Sequence, residues 1–261
     1  MKSPETVARV CRAMIDAVEG KTRITVKCRI GIDDVESFEF VSRFVEIIAA
    51  NAGVDHFIIH ARRAWLKGLS PRRNLTVPPL NYPIVYRLAE AYPDLKFVIN
   101  GGIADIPSVV EHLGRVDGVM LGRKVRDDAW FLADMDQHIY GVPQSAIPSL
   151  DSVLASYLAW ADETQIKLGT RETILARPLN SLFRGSQGRV FRRHIGSLLT
   201  KATSSREESK AGHPRVMFSE ITNEALVGAQ SECSAKLLSH AKDASSLEPE
   251  MTVHPVEAAE A

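Results

Sequence analysis

Short apolar runs alternate with longer stretches whose apolar residues recur every three or four positions, and this alternation organises the chain from residue 1 to about 141. Ser3 stands where it can cap a helix opening at Pro4, with Val7, Val10, Cys11 and Met14 on one face. RITVKCRIGI, residues 23–32, reads as a strand running into a polar loop. Residues 37–50 read as a helix, because Phe40, Phe44, Ile47 and Ile48 fall at helical spacing. HFIIHAR, residues 56–62, reads as a buried strand, and a long loop through Gly68, Pro71, Pro78 and Pro79 follows it. Residues 84–92 then read as helix, LKFVIN as strand, 106–113 as helix and GVMLG as strand. Asp127 or Asp128 caps a last helix running to Tyr140.

Alternation of this kind implies parallel strands joined by crossover helices, and continuous apolar strands imply that both faces are covered. No Gly-rich fingerprint follows the first strand, so a (β/α) barrel fits better than a Rossmann sheet. A complete barrel has eight strands in about 250 residues, whereas four are read here. The expected fold is therefore α/β: the C-terminal half of a TIM (β/α)8 barrel over 1–141, with the first four strands absent. Residues 149–199 are expected to form a small helical region, with Leu154, Leu158 and Trp160 apolar in its first helix. Residues 200–261 are rich in Ser, Glu, Ala and Lys and poor in large apolars, so a low-complexity, largely disordered tail is expected there.

Composition narrows the class without naming a partner. Apolar residues make up 45% of the 261, enough for a core, and Lys+Arg balance Asp+Glu at 32 each. The three cysteines, Cys11, Cys28 and Cys233, are far apart, which indicates neither a disulfide framework nor a metal site and points to a reducing compartment. No apolar run is long enough for a bilayer, and MKSPETVARV lacks the apolar centre of a signal peptide. An intracellular protein, cytoplasmic or organellar, is expected, with no metal and no membrane partner. Oligomeric state is not legible.

The strand ends carry the candidate chemistry. VINGGI and GVMLGR both finish in glycine, and a barrel places its ligand groups at the carboxyl ends of strands. A bare glycine backbone admits an anion close to its N–H groups. Gly101, Gly102 and Gly122 are therefore candidate phosphate donors, with Arg123 as a charged fork and Asn100 as an amide at the strand tip. Lys27 and Arg29 alternate with apolar neighbours, and His60 and Arg62 end the next strand. Charged residues on apolar strands imply a partner or a function. Together they describe a cationic mouth suited to a phosphorylated cofactor and a polyanionic substrate. The alternatives are glycines that merely turn the chain and a histidine satisfied in a core.

KCRIGIDD, FIIHARRAWLKGLSPRRN, PPLNYPIVYRL, INGGI and DGVMLGR, in this order, resemble the tRNA-dihydrouridine synthase family, most of all the branch acting on D-loop uridines 20 and 20a. The resemblance implies a TIM barrel on which NADPH reduces FMN, and the flavin passes a hydride to the C5=C6 bond of a flipped-out uracil. It implies that Lys27 and His60 contact the flavin and that Asn100–Gly102 and Gly122–Arg123 hold its phosphate. Arg29 and Arg62 match arginines near the substrate nucleotide, and Arg73 lies in the loop facing tRNA. Residues 179–195 resemble, more loosely, the family's helical tRNA-binding domain, which makes Arg189 and Arg192 candidate tRNA contacts.

The family's catalytic cysteine, which protonates the uracil, precedes the segment that starts here. Cys11 reads as a core cysteine, Cys28 points away from the mouth, and Cys233 is in the tail. No catalytic residue is therefore assigned, and no synthase activity is expected of this chain alone. The alternatives are a non-catalytic tRNA-binding fragment and another FMN-dependent barrel oxidoreductase acting on a free pyrimidine.

Overall fold

The computed structural model describes residues 1–183, 185–208 and 216–244. The chain divides into two compact units that part between Ile147 and Pro148. The first contains α1 (Pro4–Val18), β1 (Val26–Ile32), the short β2 (Val35–Glu36), α2 (Phe38–Ala52), β3 (His56–Ala64), α3 (Tyr82–Ala91), β4 (Lys96–Asn100), α4 (Ile106–Leu113), β5 (Gly118–Met120), α5 (Arg123–Asp127) and α6 (Phe131–His138).

Side chains set two of the helix starts. Ser37 Oγ accepts a bond from Phe40 N at 3.2 Å, and Asp105 Oδ1 one from Ser108 N at 2.9 Å. Each satisfies an N–H that has no partner inside its helix. Ser3 precedes α1 but makes no such bond, and Pro4 opens the helix, having no N–H to satisfy. The buried face of α1 is Ala8 and Cys11, with Val7 and Ile15 half-covered. Val10 is 53% exposed and Met14 48%, contrary to the expected face, because α1 packs chiefly on α2. The helix expected from Asp127 or Asp128 to Tyr140 is the shorter α6, Phe131–His138, and α5 ends just before it. Asp128 sits between them, buried, with its carboxylate 2.8 Å from Lys124 Nζ and its carbonyl accepting from Phe131 N.

The strands β1, β3, β4 and β5 are parallel and neighbour one another in chain order, while β2 folds back antiparallel on β1. A doubly wound sheet would reverse its order at a switch point. Unbroken order with right-handed crossovers keeps every helix on one face, as along a barrel wall. The core has that layout: Phe57, Ile59, Phe97 and Ile99 pack with Val45 and Ile48 of α2, Leu88 of α3 and Val109 of α4. The other face is organised by register. Lys27, Ile58, Val98 and Gly118 form one row, and Arg29, His60, Asn100 and Met120 the next. Alternation along each strand thus sends the apolar set to the helices and the polar tips to the opposite face. The parallel strands and their order are those read from the sequence.

The second unit is helical, with α7 (Leu150–Leu168), α8 (Glu172–Leu175), α9 (Gly185–Glu208) and α10 (Phe218–Ala244). Its core joins Leu154, Leu158 and Ala161 of α7 to Phe191 and Ile195 of α9 and to Phe218, Ile221 and Ala225 of α10. Trp160 is 54% exposed and lies outside that core. The expected disordered tail over 200–261 is corrected where it is described: α9 continues to Glu208 and α10 is a long helix with buried residues. Residues 209–215 and 245–261 lie outside the described residues.

The physical reason for α10 is a cap borrowed from elsewhere in the chain. Val216 and Met217, which precede it, have no side chain able to cap. Instead Gln165 Oε1 accepts from Phe218 N at 2.9 Å and Asp162 Oδ1 from Ser219 N at 2.8 Å, both reaching over from α7. Gln165, wholly buried, also donates to Glu172 Oε1 at 2.8 Å and to Val216 O at 3.1 Å. Composition cannot register a cap that lies 53 residues upstream. Among the described residues no helix is long and apolar enough to cross a membrane.

Asp162→Ala is expected to destabilise the second unit by about 1 kcal/mol. Gln165→Ala, which strips buried partners, should cost about 2–3 kcal/mol. Thermal melts and proteolysis within α10 measure both, and an unaltered cleavage rate in Gln165→Ala would contradict the capping role.

Candidate functional site

The carboxyl ends of β1, β3 and β4 gather their polar residues on the sheet face turned away from the helices. Lys27 Nζ donates to Asn100 Oδ1 at 3.1 Å, reaching past β3, and Asn100 Nδ2 donates to Met120 O at 2.7 Å. Asn100 thus ties β1 to β5 with both ends of its amide.

After Asn100 the chain turns through Gly101, with φ +123°, and Gly102, with φ +73°. L side chains rarely adopt these values. A Cβ on Gly101 would lie 2.7 Å from His60 Cδ2 and 2.8 Å from Leu80, and one on Gly102 2.6 Å from Leu80. What occupies the space of the missing side chains is therefore protein: the His60 ring and Leu80. Gly122 differs. Its φ is negative, −129° with ψ −87°, and a Cβ there would meet nothing within 4 Å. The protein's own packing does not require glycine at 122, whereas a ligand approaching the backbone would. Arg123 follows it in α5, which is only five residues long. The donors at this end are accordingly backbone N–H groups and a guanidinium, rather than a long helix terminus.

Charge is one-sided here. Lys27, Arg29, Arg62 and Arg123 all act on His60, and among the described residues none of the four has a carboxylate within ion-pairing distance. Burial, and then the charges of Arg29, Lys27, Arg62 and Arg123, push His60 down to about 4, so its ring is neutral above that pH. Burial also lowers Lys27, Arg29 and Arg62, with Arg62 adding to the effect on Arg29, and Arg123 to that on Arg62. Like charges gathered without acids are unfavourable, and an anion among them relieves the repulsion.

Two of these arginines have a second duty. Arg62, 8% exposed, donates Nη1 to Thr76 O at 3.1 Å and also to Pro78 O, while its buried Nε has no hydrogen-bond partner. Arg29 donates Nη1 to Arg63 O at 2.8 Å and Asn74 O at 3.0 Å. Both hold the backbone of the 63–78 loop to the sheet. Asn74 adds a clasp, accepting from Trp65 N at 2.8 Å and donating to Trp65 O at 2.7 Å. Arg73 is exposed in the turn Arg73–Leu75 of the same loop.

Lys27, Arg29, His60, Arg62, Asn100, Gly101, Gly102 and Arg123 are thus brought to one end of the sheet, with Gly122 beside Arg123. Arg189 and Arg192 belong to the second unit. Arg189 is exposed on α9, while Arg192 donates Nη1 to Asn180 O at 3.0 Å and Phe183 O at 3.4 Å, closing the turn before that helix. Neither Cys11 nor Cys28 joins the cluster. Cys11 is buried in α1, with its thiol raised by burial. Cys28 packs towards the helix layer, its thiol pushed up to about 12 by burial, and Cys233 is on α10. No three metal-ligating side chains cluster among the described residues.

Sequence reasoning passes over Leu80, Tyr82 and Asn74. Tyr82 Oη donates to Gly101 O at 2.7 Å from 19 residues upstream, a partnership no local pattern encodes. The only available hint is that a turn with two bare residues needs backing from elsewhere. The whole arrangement binds and polarises: its cations are fixed and its histidine is neutral, so it is poorly suited to proton transfer near neutral pH.

The family model for dihydrouridine synthase (Dus) matches residues 1–213. Several similar proteins are named tRNA-dihydrouridine(20/20a) synthase. That of Vibrio cholerae is 34% identical over 222 residues, covering 85% of this chain and 67% of its own. That of Synechocystis is 40% identical over 208 residues, covering 80% and 61%. That of Escherichia coli K12 is 38% identical over 203 residues, covering 77% and 58%. The chain thus spans about three fifths to two thirds of the length of these relatives.

His60 has a pH signature. Its value falls from 6.5 to about 4 on folding, so between these the unfolded chain binds the proton and the folded one does not. The stability it contributes is complete above pH 6.5 and is lost as pH falls towards 4. His112, lowered by burial, acts in the same direction. The melting midpoint should therefore fall between about pH 7 and about pH 4, and His60→Gln should remove up to about 3 kcal/mol of that loss. A His60→Gln variant with the parental pH profile would refute the assignment.

Proposed function

The chain belongs to the dihydrouridine synthase family, and on that premise we propose that its first unit carries the flavin-phosphate side of a tRNA-dihydrouridine(20/20a) synthase site. The observation that carries this reading is a cluster of four cations, none ion-paired to a carboxylate among the described residues, closing on bare glycine backbone at Gly101, Gly102 and Gly122. FMN fits such a cluster. Its phosphate would be held by Arg123 and the glycine N–H groups, and the polar edge of its ring by Lys27 and His60. Bound FMN, with NADPH as reductant, supplies the hydride that saturates a pyrimidine double bond. Lys27, anchored on Asn100, stabilises negative charge, and neutral His60 orients without adding a fifth positive charge.

Transfer RNA is the proposed partner. Exposed Arg73 and Arg189 serve its phosphates, so binding is salt-sensitive. Arg29 and Arg62 act on the nucleotide through their charge and through the loop they hold, and Arg192 acts by shaping the turn before α9. A uridine must leave its stack to reach groups set at strand ends. The proton that completes the reduction comes from neither Cys11 nor Cys28, whose thiols are raised by burial and pack in or against the core. That observation also favours a second reading, tRNA binding without turnover.

The purified chain, given FMN, NADPH and a uridine-bearing tRNA, is expected to form no dihydrouridine while binding the tRNA with an affinity that falls as salt rises. Dihydrouridine in the digested product would overturn the statement about the cysteines, and salt-independent binding would overturn the role of the arginines. Gly122→Ala should leave the melting midpoint of the flavin-free chain within about 0.5 kcal/mol of the parent, yet weaken FMN binding about tenfold. Gly101→Ala, strained and in collision with His60, should cost about 1–3 kcal/mol without any ligand. Fluorescence titration separates the two variants, and undiminished FMN affinity in Gly122→Ala would remove the phosphate assignment.

A further inference from the structure

Two successive glycines with positive φ have no side chains with which to hold their own turn, and Tyr82 supplies the hold. Its Oη donates to Gly101 O at 2.7 Å and lies 3.3 Å from where a Cβ on Gly102 would be. The tyrosine ring is fixed from behind. It meets the buried His112 ring edge-on, with centroids 4.5 Å apart, and His112 Nδ1 is bonded to Tyr86 Oη at 2.7 Å. Burial raises Tyr82 and lowers His112, so the phenol keeps its proton and the imidazole stays neutral.

The consequence follows from peptide geometry. Gly101 C=O and Gly102 N–H belong to one trans peptide plane and point in opposite directions. A bond that anchors the carbonyl therefore also aims the N–H. We propose that Tyr82 is a positioning residue for the flavin phosphate: by holding the Gly101 carbonyl it fixes the direction of the Gly102 N–H that meets the anion. This rests on the reading of the Gly101–Gly102 turn as part of the phosphate site. Tyr82 touches no ligand in this role; it acts through the turn.

Tyr82→Phe keeps the ring against His112 and removes only the hydroxyl, while Tyr86→Phe removes a hydroxyl that bonds His112 and not the turn. The full chain of each is titrated with FMN and with riboflavin, which lacks the phosphate, and amide exchange at Gly102 is followed without flavin. Tyr82→Phe is expected to weaken FMN binding about three- to tenfold, to leave riboflavin binding unchanged and to speed exchange at Gly102. Tyr86→Phe should lower the melting midpoint and keep the parental ratio of FMN to riboflavin affinity. A Tyr82→Phe chain that keeps this ratio, loses both flavins equally or exchanges Gly102 at the parental rate overturns the proposal. A parent that binds FMN no better than riboflavin brings down the phosphate reading, and this proposal with it. The exchange rate at Gly102 then still reports whether Tyr82 holds the turn, so the two failures are told apart.

Discussion

The His60 ring lies against the bare backbone of Gly101, and most of what this end of the sheet can be follows from that contact. His60 and Asn100 are register partners on neighbouring parallel strands, so the ring of one strand covers the turn that leaves the next. The turn accommodates it only because residue 101 has no side chain and adopts a φ open to glycine. The same contact helps to bury the ring, and burial with four cations nearby keeps it neutral. A protonated His60 would add a like charge to Lys27, Arg29, Arg62 and Arg123, none of which has an ion-paired carboxylate among the described residues. Neutral histidine and cationic surroundings are thus one electrostatic arrangement.

The cations are tolerated because they also do structural work. Arg29 and Arg62 spend one terminal nitrogen each on backbone carbonyls of the 63–78 loop, and Lys27 is bonded to Asn100. A guanidinium hydrogen-bonded to carbonyls has no opposite charge beside it, whereas the charge of one paired with an acid is offset. These residues therefore order the loop and still present a positive field to whatever binds. Loop and site are coupled physically, because displacing Arg29 towards a ligand would release Arg63 O and Asn74 O.

The second unit applies the same logic of distant satisfaction to a helical stack. Asp162 and Gln165 of α7 cap α10, and Gln165 also bonds Glu172 and the carbonyl before α10. One buried amide thereby joins three helices. Arg192 closes the turn ahead of α9 while Arg189 stays exposed, so two arginines in one basic stretch have different surroundings.

By itself the sequence determined what depends on local periodicity. The apolar runs HFIIHAR and LKFVIN, with helical spacing between them, were enough for the parallel strands and their order, and for the gathering of Lys27, His60, Asn100 and the glycines at the strand ends. Periodicity assigns a residue to a face of its own element, but not to a partner. That is why Val10 and Met14, grouped on one face with buried Cys11, and Trp160, grouped with buried Leu154 and Leu158, lie exposed, and why residues 218–244 read as a tail yet form a capped helix. It is also why Arg29 and Arg62 gave no sign of holding a loop, nor Leu80 and Tyr82 of backing a turn. Those roles arise from hydrogen bonds and steric contacts between residues far apart in the chain, and only the tertiary structure brings them within reach.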